Sequence, residues 1–87
     1  MLGFNSARRR LIAELVSECR DCTNRSEVKR KVASRIDEIT ETRNVRFGVI
    51  EILAIVQLVM AIWRFIDSMG WLEDATPDGV EELFDAA

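Results

Sequence analysis

The 87-residue sequence predicts an all-α chain: an amphipathic helical hairpin, one long apolar helix and a short acidic C-terminal helix. Three observations carry this. Apolar residues recur at helical spacing through the first half, a nearly uninterrupted apolar run occupies residues 47–66, and a Thr-Pro pair opens an acidic amphipathic end. No stretch alternates with the period of a strand. The boundaries follow: a basic hairpin over 1–44, an apolar and expected transmembrane helix over 45–69, and an acidic tail over 70–87.

The first helix is expected over about residues 7–21, with Asn5 or Ser6 as N-cap. Leu11, Ile12, Leu15, Val16, Cys19 and Cys22 line one face of it. The polar segment Thr23-Asn24-Arg25-Ser26 reads as a connection, with Ser26 capping a second helix over about 27–42. That helix carries Val28, Val32, Ala33, Ile36 and Ile39 on a narrow stripe between charged flanks, where Glu27 and Lys31 stand at salt-bridge spacing. So short a connection predicts an antiparallel hairpin in which each helix covers the other's apolar face. Because a two-helix unit is marginal alone, both stripes are also expected to lean on a third helix, a second copy or the membrane surface. Asn44-Val45 is a soft boundary, with no Pro or Gly pair to force a break between the second and third helices. Gly70 stops the third, and Thr76 caps a final helix over 77–84 with Pro77 in its first turn and Val80, Leu83 and Phe84 on its apolar side.

The central run, Phe47 to Ile66, contains Glu51, Gln57 and Arg64 as its only strongly polar residues. Twenty helical residues reach about 30 Å, the thickness of a bilayer core. Its twelve Leu, Ile, Val and Phe residues favour insertion by about 4 to 7 kcal/mol, and the two charges near the ends oppose it. A chain this short has little else with which to cover such a helix. The expectation is therefore a single span, with lipid or other subunits as its surroundings.

Charge orients that span. Residues 1–46 hold eleven Lys and Arg against seven acids, and residues 64–87 hold one Arg against seven acids. Positive charge resists translocation, so the N-terminus is expected in the cytoplasm. No cleavable signal peptide or lipidation motif is expected. Arg8, Arg9 and Arg10, with Lys29, Arg30 and Lys31, are candidate contacts to anionic lipid headgroups. Nucleic acid fits poorly, because acids intersperse these runs and no stacking aromatics accompany them.

Helical geometry sets Glu51, Ala54, Gln57, Ala61, Arg64 and Ser68 within one arc of roughly 140°, the candidate helix–helix interface. The opposite side, Ile52, Ile55, Val59, Ile62 and Ile66, is expected to meet lipid. Glu51 is read as pairing with an arginine such as Arg46, or with a partner chain.

No catalytic site, cofactor or metal is expected. The sequence contains no histidine and only two cysteines, too few ligands for a Cys/His zinc site within one chain. The C-x-x-C pair ends a helical pattern, whereas a redox pair opens one, so both cysteines read as small apolar residues. The function expected is a non-enzymatic structural or accessory subunit of a larger assembly, in a membrane complex or a membrane-containing virion. Two alternatives stay open: a holin-like membrane permeabiliser, and a soluble helical-bundle subunit of an oligomer such as a viral capsid or tail.

Overall fold

The computed structural model describes residues 6–44 and 46–86, and the side chains of 7–44 and 46–83. The described residues form α1 (Ser6–Glu18), α2 (Arg25–Arg43), α3 (Val49–Ser68), a 3-10 turn (Leu72–Asp74) and α4 (Pro77–Ala86). The all-helical expectation holds, and α3 is long and apolar enough to cross a membrane by length and composition. Asn5, Val45 and the side chains of Ser6 and Phe84 lie outside the described residues.

Local chemistry explains each boundary. Asn24, extended at φ −154°, caps α2 by accepting the Glu27 N–H at 3.0 Å, and the Glu27 carboxylate accepts the Thr23 N–H at 2.8 Å. Asn24 thus takes the role assigned to Ser26, because it stands three residues before Glu27 and the two satisfy the donors of one helix start together. With Glu27 so engaged, Lys31 turns instead to Asp21 (2.6 Å) and the Glu18 carbonyl (2.8 Å).

The soft boundary is a full break. Asn44 adopts the left-handed region (φ 53°), and α3 starts afresh behind Gly48. At the far end Gly70 (φ 75°) ends α3 as expected. Trp71 N–H donates to Ile66 O and Gly70 N–H to Asp67 O, both at 3.1 Å, the paired bonds of a Schellman stop. Thr76 caps α4 as expected, its hydroxyl oxygen accepting the Gly79 N–H at 3.1 Å.

Tertiary packing departs from the simple hairpin. α1 packs chiefly on α4 and α3, α2 packs on α3, and α1 and α2 touch each other little. The third helix acts as a spine. Ile55, Val59 and Ile66 are buried beneath the flanking helices, with Ile52 and Ile62 half-buried, so the side of α3 expected to meet lipid is covered by protein in this structure. The core joins Ile12, Leu15 and Val16 of α1, Val28 and Val32 of α2, and Val80 of α4 to that side of α3. Ala13 is buried as well, since α1 is covered on two sides, whereas Ala33 of α2 is exposed. The radius of gyration is 12.2 Å, close to the roughly 12 Å of a self-contained domain this long.

Candidate functional site

Among the described residues nothing covers the opposite face of α3. Val49 (75%), Ile50 (84%) and Leu53 (55%) are exposed at its N-terminal end, and Phe65 (51%) with Met69 and Trp71 at or beyond its C-terminal end. Only 28% of the most apolar 18-residue window of α3 is buried. Large apolar side chains gathered along one rod, rather than scattered singly, mark a contact surface. The sequence-derived stripe lies on this side: Gln57, Ala61, Arg64 and Ser68 are exposed, and Ala54 is half-buried. Glu51 sits at the edge.

Glu51 pairs with Arg8 rather than Arg46, through Arg8 Nε at 2.9 Å, and the Arg8 guanidinium lies 4.4 Å from the centroid of the Phe47 ring. This ties the start of α1 to the start of α3. A half-exposed carboxylate with a cation beside it is a clamp between two helices, and its spacing from Arg8 along the sequence gave no signal of it.

The candidate lipid-contacting cations are differently disposed. Arg10 reaches Asp78 (2.6 Å) and Glu81 (2.7 Å) of α4, and these acids, Asp78 foremost, hold its guanidinium further above its ordinary value. Lys31 is held up chiefly by its hydrogen bond from Nζ to Asp21, whose carboxyl is held down in turn. Lys29 and Arg30 are exposed. Arg8 and Arg10 flank Arg9 in the first turns of α1, whereas Lys31 meets its C-terminal end, so the two basic runs stand about 15 Å apart along that helix.

Cys19 and Cys22 are free and buried at the end of α1. Burial, and next the neighbouring Cys22, push the Cys19 thiol up to about 12, so it stays protonated and poorly nucleophilic at neutral pH. The Trp63 indole N–H donates to the Cys19 carbonyl at 2.9 Å and locks α3 to this corner. Among the described residues no three Cys, Asp or Glu side chains converge as a metal ion would need. A groove of about 540 Å³ runs between the end of α3 and α4, lined by Ile66, Trp71, Ala75, Val80 and Leu83 with Asp74 and Glu82 among its polar residues.

No family model matches the chain, and no curated protein or solved structure is significantly similar to it.

Proposed function

We propose that this protein is a non-enzymatic helical subunit of a larger assembly, and that the uncovered face of α3 is where it docks against other protein. One observation carries the reading. A single helix is roofed on one side by its own chain and presents Ile50, Leu53 and Phe65 to solvent on the other. Burying such side chains is the main driving force of association, and nothing within the described residues supplies the cover. The absence of histidine from the sequence agrees with a role in contact rather than catalysis.

A membrane span remains a second reading, favoured by the length and apolar character of α3. In that reading the N-terminal half is cytoplasmic, and Arg8, Arg9, Arg10, Lys29, Arg30 and Lys31 face anionic lipid. It carries a structural cost: α1 would have to leave α4, breaking the Arg10 pairs, because a span separates the two ends of the chain. Extraction discriminates. The docking reading expects the expressed chain to be released by alkaline carbonate without detergent, and to assemble less well when Leu53 is replaced by Asp. Retention of the chain in the carbonate-washed pellet would reject docking in favour of the span.

A further inference from the structure

We infer that the occupant of the uncovered α3 face is a second copy of this chain, lying antiparallel about a two-fold axis near the middle of the helix. This rests on the docking reading of α3 and goes beyond it in naming the partner and its direction. Charge at the two ends of the rod is opposite. Exposed Arg43 and Arg46 outnumber exposed Glu41 just before α3, whereas exposed Asp67, Glu73, Asp74 and Glu82 lie at or after its end. An antiparallel pair sets the basic end of each copy against the acidic end of the other, and a parallel pair sets like on like.

Arg64 decides the direction independently. It is exposed on the uncovered face and pairs with no acid among the described residues. In a parallel pair every residue faces itself, so two Arg64 guanidinium groups would meet inside the contact. Antiparallel, they separate by about 16 Å along the axis, at 1.5 Å per residue. The apolar ends also match in this direction, with Ile50 and Leu53 of one copy over Phe65 and Met69 of the other. Ile50, Ala54, Gln57, Ala61, Arg64 and Ser68 alternate by four and three residues, which is the seam two straight helices share over several turns.

The contact is modest in size. One face of a helix about 30 Å long and about 10 Å across is narrow beside a standard stable interface, which takes roughly 20 to 30 residues from each partner. Exposed Trp71 at the margin extends it. A concentration-dependent monomer–dimer equilibrium is therefore expected, not a permanent dimer.

The test uses the full chain in sedimentation equilibrium and in disulfide cross-linking under mild oxidant, with Cys19 and Cys22 protected by burial. The mass should rise towards two copies with concentration. Leu53→Asp should abolish the rise while leaving the helical circular dichroism intact, since Leu53 is exposed in the single copy. Chains carrying Ile50→Cys should cross-link to chains carrying Ser68→Cys at least about tenfold more than to themselves. Self-linking of Ile50→Cys as the dominant product would overturn the antiparallel pair, and a single-copy mass up to about 1 mM would overturn self-pairing altogether. Neither result touches the docking reading, which the carbonate extraction decides separately.

Discussion

Replacing one isoleucine on each side of α3 by alanine separates the two faces with identical chemistry. Ile55 is fully buried and Ile50 is 84% exposed. A buried Ile→Ala change removes three carbon atoms from the core and leaves a cavity, at a cost of about 2 to 5 kcal/mol. A domain of 87 residues has roughly 4 to 13 kcal/mol of total stability, so a mid-range loss of about 3 kcal/mol takes a quarter or more of it. At 4 to 8 °C per kcal/mol, the melting temperature should fall by about 12 to 24 °C. Ile50→Ala removes the same atoms from solvent and improves helix propensity, so the isolated chain should change by no more than about 0.5 kcal/mol. The assay is urea unfolding followed by far-ultraviolet circular dichroism, below the concentration at which copies pair. Equal losses at the two positions, or a larger loss at Ile50, would refute the burial of α3 beneath its own chain.

Four other outcomes follow from the same packing. Trp63→Phe keeps most of the ring but deletes the hydrogen bond to Cys19 O, which still accepts the Cys22 N–H; chemical denaturation should show a loss of about 1 to 2 kcal/mol. Asn24→Ala should cost about 1 kcal/mol by uncapping α2, whereas Ser26→Ala should cost almost nothing, a contrast measurable by thermal melting. Arg10→Ala loosens α4 from α1 with little effect on global stability, because the pairs are solvent-screened, and hydrogen exchange at the Val80 amide should accelerate. Cys19 keeps its proton in the fold to about pH 12 but ionises near its ordinary 9.0 when unfolded. The unfolded state therefore binds fewer protons between those values, and stability should decline as pH rises through them, by at most about 1.4 kcal/mol per pH unit. Below pH 9 this contribution is fully present, and Cys19→Ala should remove the slope.

Much of the architecture was legible because it is written in local terms. Helical periodicity marked the buried residues Ile12, Leu15, Val28 and Val32, and the Gly70 stop and Thr76 cap are decided by backbone chemistry within a few residues. The Ser26 cap failed for an equally local reason: two cap-forming residues competed, and the position of Glu27 favoured Asn24. On α3, Gln57, Ala61, Arg64 and Ser68 are exposed while Ile55, Val59 and Ile66 are buried, a division that helical periodicity also draws.

By itself the sequence determined four helical segments, their main stops and the two unlike faces of the long helix, since propensity, capping and periodicity act over at most a few turns. Which face would be covered, and by what, was decided only by tertiary structure. An apolar helix of 20 residues satisfies the same periodicity and length whether lipid or protein surrounds it. The choice depends on contacts between residues far apart in the chain, such as Arg8 with Glu51, Arg10 with Asp78 and Trp63 with Cys19, for which no spacing rule exists.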